Sequence, residues 1–211
     1  MSRLRYNRRQ AVAHLRSRCA ELGRFIDGCG PLELRVPREF TVFEALASAI
    51  VYQQLSGKAA STIHDRFRAL FAGAAPEPAR AAELDFDTLR SVGLSRNKAL
   101  SITDLAEKCS DGTLPSLQRL NRMDDPAVIE RLCRVRGIGP WTAQMFLIFH
   151  LGRPDVMPAT DLGVQKGVKA IFGMGDLPEP AEVLERTAHL SPYRSAASWY
   201  FWRAADTELL A

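Results

Sequence analysis

Residues 131–143, Arg131-Leu-Cys-Arg-Val-Arg-Gly-Ile-Gly-Pro-Trp-Thr-Ala143, set Gly137 and Gly139 between two stretches of helical periodicity. With no β-carbon in the way the backbone can turn tightly there, and the amide N–H groups that open the second helix can point at an anion. A carboxylate, Asp161, follows in the chain. The pattern reads as a helix-hairpin-helix: an anchor for a phosphate with an acid behind it. The plainer alternative is an ordinary turn between helices, with Asp161 serving only as a helix cap.

The charge distribution favours the phosphate. The net charge of +4 is modest but unevenly placed. Residues 1–40 carry nine Arg against Glu21, Asp27, Glu33 and Glu39, and residues 131–169 carry six basic residues against Asp155 and Asp161. Either cluster alone is compatible with a solvated face. Coincidence of the second with the hairpin points to DNA, because neutralising backbone phosphates releases counterions and supplies sequence-independent affinity.

The elements that must position these residues are helical nearly throughout. Val12, Leu15, Cys19, Leu22 and Phe25-Ile26 give helical spacing over 9–27, ended by Gly28-Cys-Gly-Pro31. Leu32 to Val36 alternates like a strand but is too isolated to imply a sheet. Thr41-Val-Phe-Glu44 is a capping box opening a helix to about Leu55; Gly57 breaks it, and Lys58 to Phe71 resumes the period. A loop is expected over 72–80, then a short helix near 86–92 and a longer one from Ser95 to about Cys109. Asp125-Pro126 supplies the N-cap and first-turn proline of the helix entering the hairpin, a motif spanning about 126–151. Trp141 to Leu151 is apolar on nearly all sides, as in a buried central helix, and further helices are expected at 161–172, 180–189 and 194–209. The expected fold is all-α: one unit over 1–211 made of two helical lobes, first and last segments together, with a DNA-binding cleft between the lobes.

Function classes narrow accordingly. No apolar run is long enough to span a bilayer, and the start Met1-Ser-Arg-Leu-Arg5 leads into no signal-peptide core, so a soluble intracellular protein is expected. Cys19, Cys29, Cys109 and Cys133 lack Cys-x-x-Cys spacing and read as buried free thiols rather than disulfides or zinc ligands.

Four segments in order resemble the helix-hairpin-helix superfamily of DNA base-excision glycosylases, in particular 3-methyladenine DNA glycosylase II. They are Phe43-Glu-Ala-Leu-Ala-Ser-Ala-Ile-Val-Tyr-Gln-Gln-Leu-Ser56 with Lys58-Ala-Ala60, Gly93-Leu-Ser-Arg-Asn-Lys98, the hairpin with Trp141-Thr-Ala143, and Met157-Pro-Ala-Thr-Asp161-Leu-Gly163. Pro192-Tyr-Arg-Ser195 and Trp199 extend the likeness, which spans roughly 35 to 205. The chain looks like the compact members, without the N-terminal β-rich domain of many relatives. Where the family has paired Asp-Asp, this chain has Thr160-Asp161, with less like-charge pressure on the single carboxylate.

The resemblance implies an enzyme that turns an alkylated nucleotide out of duplex DNA and hydrolyses its N-glycosidic bond, in base-excision repair. Amides of Gly137, Gly139, Trp141 and Thr142 would hold the phosphate, with the Val135 and Gly137 carbonyls on a sodium or potassium ion; no other cofactor is implied. Gln53, Gln54 and Leu55 would fill the vacated space, Gln54 aligning with the family's wedge. Glutamines at a helix end are otherwise simply solvated. Lys98 could stabilise its loop or sit near DNA. Trp141 and Tyr193 would stack on the base, cationic when N-alkylated and so attracted to an aromatic face by roughly 0.5–2 kcal/mol; the alternative is two core aromatics. Met145 lines the same wall or belongs to the core. Asp161 would stabilise charge developing on the sugar and orient water, or it caps the helix through Val168, a task Thr160 could take instead. Asp155 is the nearest rival carboxylate but lies outside the matching motif.

Two other readings compete. A bifunctional glycosylase and lyase for oxidised bases needs an amine for a Schiff base, and the position where such relatives place lysine holds Trp141. No cysteine follows Cys133, so the four-cysteine iron–sulfur cluster of some relatives is absent. A DNA-binding module without chemistry would need neither Asp161 nor a pocket. The partner expected is double-stranded DNA, with no membrane, and the chain a monomer, acting in the cytoplasm at the nucleoid, or in the nucleus if eukaryotic.

Overall fold

The computed structural model describes residues 4–208; the start as far as Arg3, and Leu209 at the expected end of the last helix, lie outside them. Every regular element among the described residues is helical. They form two compact units: residues through Arg38 together with those from Leu147 onward, and Glu39–Phe146.

In the first unit the helix expected over 9–27 is two, α1 (Arg8–Arg18) and α2 (Ala20–Cys29). Cys19 between them is extended, and its Sγ accepts the Leu22 N–H as the N-cap of α2. A single apolar period hid the break because each helix buries its own stripe, Ala11 and Leu15 in α1, Leu22 and Ile26 in α2. The stretch 32–36 forms no strand. Leu32 and Leu34 bury alternately, and the Arg8 guanidinium donates to the Leu34 carbonyl at 2.7 Å.

The second unit, Glu39–Phe146, opens with α3 (Val42–Tyr52), where Thr41 and Glu44 exchange both bonds of the capping box. The helix ends at Tyr52, short of the expected Leu55, and Gly57 is not the break but the first residue of α4 (Gly57–Ala69). The helix α5 (Pro78–Ala82) intrudes on the expected loop, and α6 (Phe86–Ser91) and α7 (Arg96–Ser110, capped by Ser95) follow. A six-residue helix, α8 (Leu117–Arg122), is too short to show a period. The hairpin lies between α9 (Asp125–Leu132) and α10 (Pro140–Phe149). The cap of α9 is Asp124 rather than Asp125: its Oδ1 accepts the Ala127 N–H at 2.8 Å and puts Pro126 within the first turn. Buried Ala143, Phe146, Leu147 and Ile148 make α10 a core helix with an exposed first turn.

The chain then re-enters the first unit as α11 (Leu162–Phe172), α12 (Pro180–Thr187, continued by a 3-10 turn to Leu190) and α13 (Arg194–Glu208). α11 packs on α13 backbone to backbone at Gly167, where a β-carbon would fall 1.9 Å from the Phe201 carbonyl oxygen.

Asp155 ties the segment before α11 to the start of α13. Its carboxylate takes the Arg194 guanidinium at 2.7 and 2.8 Å, the Ser191 hydroxyl at 2.9 Å and the Arg194 amide at 3.2 Å. Burial works to raise its pKa, but the bonds from Arg194 and Ser191 outweigh it and hold the carboxyl below its usual range. A depressed folded-state pKa contributes stability that is full above the unfolded value and lost as pH falls through the folded one. Asp155→Ala should therefore cost about 1.5 kcal/mol at neutral pH, and the gap from the parent should close below about pH 4. Thermal unfolding over a pH series checks this.

All four cysteines are free, but only Cys19 is buried; Cys29, Cys109 and Cys133 are half-exposed, at helix ends or on outer faces. No cluster of His, Cys, Asp and Glu fit for a metal occurs among the described residues, and no helix among them is long and apolar enough to cross a membrane.

A candidate nucleic-acid site

The two glycines of the hairpin are there for different reasons. Gly137 has φ +78, and a β-carbon on it would meet the Ser101 hydroxyl at 2.7 Å, so both backbone and space require glycine. Gly139 is outside the left-handed region, and a β-carbon there would meet nothing within 4 Å. Between them Ile138 is buried, pinning the loop to the core, and its N–H donates to the Val135 carbonyl at 3.1 Å. The Arg136 N–H donates to Asp104 Oδ2 at 2.7 Å, and Asp104 also pairs with Lys108. α10 begins directly after Gly139, so its first-turn N–H groups, among them those of Trp141 and Thr142, lie at the positive end of the helix dipole.

A second exposed turn meets the hairpin. At the end of α3, Gln53 leaves the helix at φ −53, ψ 133, and Gln54 has φ +53, a region costly to a residue with a side chain. The Gln53 side-chain amide donates to the Gly137 carbonyl at 2.9 Å. Gln54 is exposed and Leu55 is 40% exposed. Lys98 is turned inward: its ammonium donates to the carbonyls of Val51 at 2.7 Å and Gln53 at 2.8 Å, and burial pushes its pKa down.

Turn and hairpin border a pocket of about 470 Å³. Trp141, 44% exposed, forms one wall with Thr142 and Met145, while Gln53 and Gln54 form another. Tyr52, 41% exposed and edge-on to His64 at 5.7 Å, also lines it. Tyr52 went unread in the sequence although it adjoins Gln53; the helix period places it as one more apolar residue of α3. Tyr193 belongs to the other unit, where its ring meets His14 at 5.2 Å and Tyr6 at 5.8 Å.

Asp161 itself, not Thr160, caps α11: its Oδ1 accepts the Val164 N–H at 2.9 Å. The same oxygen accepts the Trp202 indole N–H at 2.8 Å, so two donors fix the carboxylate plane. Trp202 is in turn stacked on Phe149, ring centres 5.5 Å apart. Gly163 makes room for this indole, since a β-carbon would lie 2.7 Å from Trp202 Cδ1. Sequence reasoning missed both partners. The only signal was the glycine two residues after the aspartate, whose purpose appears once α13 lies beside it.

An all-helical chain with a glycine hairpin, an exposed wedge-shaped turn beside it and a rigidly held carboxylate has the plan of a helix-hairpin-helix base-excision protein. The chain belongs to the HhH-GPD superfamily of base excision DNA repair proteins, whose family model matches residues 47–192. It is 37% identical over 164 residues to DNA-3-methyladenine glycosylase 1 of Schizosaccharomyces pombe, covering 77% of this chain and 72% of the relative. The solved structure of a Schizosaccharomyces pombe 3-methyladenine DNA glycosylase in complex with abasic DNA superposes with a TM-score of 0.82 at 34% identity, covering 92% of this chain and 95% of that one. A DNA-3-methyladenine glycosidase from Bacillus halodurans gives 0.85 at 34% identity, covering 95% and 91%.

Proposed function

We infer that this chain is a DNA glycosylase of the 3-methyladenine type, removing alkylated bases from double-stranded DNA by base flipping and hydrolysis, in base-excision repair. The observation that carries the reading is residue 141: an indole, not an amine, at the exit of the hairpin, half-exposed on a pocket wall. An N-alkylated purine such as 3-methyladenine or 7-methylguanine is cationic, and an indole face attracts it more than a neutral base.

The chemistry follows from that charge. The bond between the anomeric carbon and the base nitrogen breaks, and its electron pair leaves with the base, neutralising it. Positive charge grows on the sugar, where Asp161 would stabilise it. Water adds its oxygen to the anomeric carbon and gives up a proton, for which the same carboxylate is an acceptor. The hairpin amides of Gly139, Trp141 and Thr142 would hold a phosphate while Gln54 or Leu55 occupies the space left in the stack, and Tyr193 would add an aromatic contact to the base.

A monovalent cation at the Val135 and Gly137 carbonyls is part of the same proposal. Each accepts one hydrogen bond, from Ile138 N–H and Gln53 Nε2 respectively, and a carbonyl oxygen has a second lone pair to offer. Bound there, sodium or potassium would add positive charge facing the phosphate. One chain carries anchor, wedge and carboxylate, so a monomer suffices, working where the DNA is: at the nucleoid, or in a nucleus.

The test is to incubate the protein with methylated genomic DNA and identify released bases by mass; 3-methyladenine or 7-methylguanine is expected, and release of neither would overturn the reading. Since an indole nitrogen cannot form a Schiff base, the product should be an intact abasic site, the strand staying uncut until hot alkali is added. Borohydride during turnover should trap no covalent protein–DNA adduct. A trapped adduct would move the chain to the lyase branch, and binding without release would make it a non-catalytic module.

A further inference from the structure

Lys98 stands in the first turn of α7, the end of a helix where a cation is least favoured. Its side chain serves a different helix. The ammonium reaches the carbonyls of Val51 and Gln53, at the C-terminal end of α3. Those carbonyls lack helical partners because the chain leaves the helix there, and the C-terminal end of a helix attracts positive charge. The residue released by this early exit is Gln54, held at φ +53. Gln53, gripped through its carbonyl by Lys98, grips the hairpin through its side chain at the Gly137 carbonyl. One ammonium thus fixes where α3 stops, and the turn it shapes is fastened to the phosphate anchor.

We propose that Lys98 is a positioning residue for base extrusion: it holds the turn Gln53–Leu55 in the shape that presents Gln54 to the base stack, and it makes no phosphate contact of its own. The proposal rests on the glycosylase reading with Gln54 as the wedge. A lysine in a basic DNA-binding protein is ordinarily assigned to the backbone of the nucleic acid. Here two of its three donors are already directed to carbonyls within normal hydrogen-bond distance.

The experiment is a double-mutant cycle on single-turnover excision of 3-methyladenine from duplex DNA, with Lys98→Met, Gln54→Ala and the double variant. A 2-aminopurine beside the lesion reports extrusion by its fluorescence. Lys98→Met should slow excision about 10-fold and diminish the fluorescence change, and it should add nearly nothing in the Gln54→Ala background. Lys98→Arg, with a guanidinium able to donate to both carbonyls, should restore most of the rate. The salt dependence of DNA binding should keep its slope in Lys98→Met.

Fully additive losses, or a slope reduced by about 0.9 as for one lost phosphate contact, would overturn the proposal while leaving the glycosylase reading intact. Wild-type excision by Gln54→Ala would remove the wedge, and the role of Lys98 with it. Should Lys98→Met not fold, Lys98→Gln, which can donate to one of the two carbonyls, takes its place in the cycle with the same criteria.

Discussion

Asp161→Asn is expected to lower the single-turnover rate of base release by about 10³-fold while leaving DNA affinity and thermal unfolding close to those of the parent. The structure makes this substitution unusually clean. Asparagine caps a helix as well as aspartate, and its side-chain oxygen can accept from both the Val164 N–H and the Trp202 indole, as Asp161 Oδ1 does. The cap and the indole bond survive, and the charge goes. In the ground state the positive charge sits on the alkylated base, whereas in the transition state it moves to the sugar. A carboxylate placed for the sugar therefore acts on the rate and hardly on binding. Asp155→Asn is the control. That carboxylate is already engaged with Arg194 and Ser191, so its loss should weaken the fold modestly and spare excision. Near-normal excision by Asp161→Asn would remove this residue from the chemistry, and an inactive but folded Asp155→Asn would relocate the site.

The difference between what could and could not be read from sequence follows the range of the interactions. The capping box at Thr41 and Glu44 was legible because its donors and acceptors lie three residues apart. The hairpin was legible because Gly137 and Gly139 interrupt two helical periods within three residues. The break at Cys19 was not, since an apolar stripe continued through it and only the packing of α1 and α2 as separate helices reveals it. Trp202 lies 41 residues from the carboxylate it orients, and Lys98 lies 47 residues from the Val51 carbonyl it caps. Nothing local marks either. The sequence also assigned one reason to Gly137 and Gly139, and the environment of each separates them.

That separation makes the hairpin testable by two substitutions with opposite signatures. Gly137→Ala forces a side chain into a left-handed backbone at φ +78 and against the Ser101 hydroxyl, so it should appear as lost stability. Gly139→Val should appear as lost binding. Its β-carbon meets no protein atom within 4 Å, so the cost to the fold should be small beside that of Gly137→Ala, and the added methyls would stand beside the first-turn amides of α10. Each hydrogen bond to a charged group contributes about 1.5–3 kcal/mol, so displacing a phosphate from one or two amides should weaken binding by about 10²-fold. Phosphate contacts position a protein without reading bases, so undamaged and alkylated duplexes should lose affinity by the same factor at matched salt. Excision at saturating protein should recover most of its rate, because Asp161 and its partners lie elsewhere in the chain. Unchanged affinity in Gly139→Val would show that no phosphate approaches that glycine. A loss confined to the alkylated duplex would mean that the residue faces the base instead.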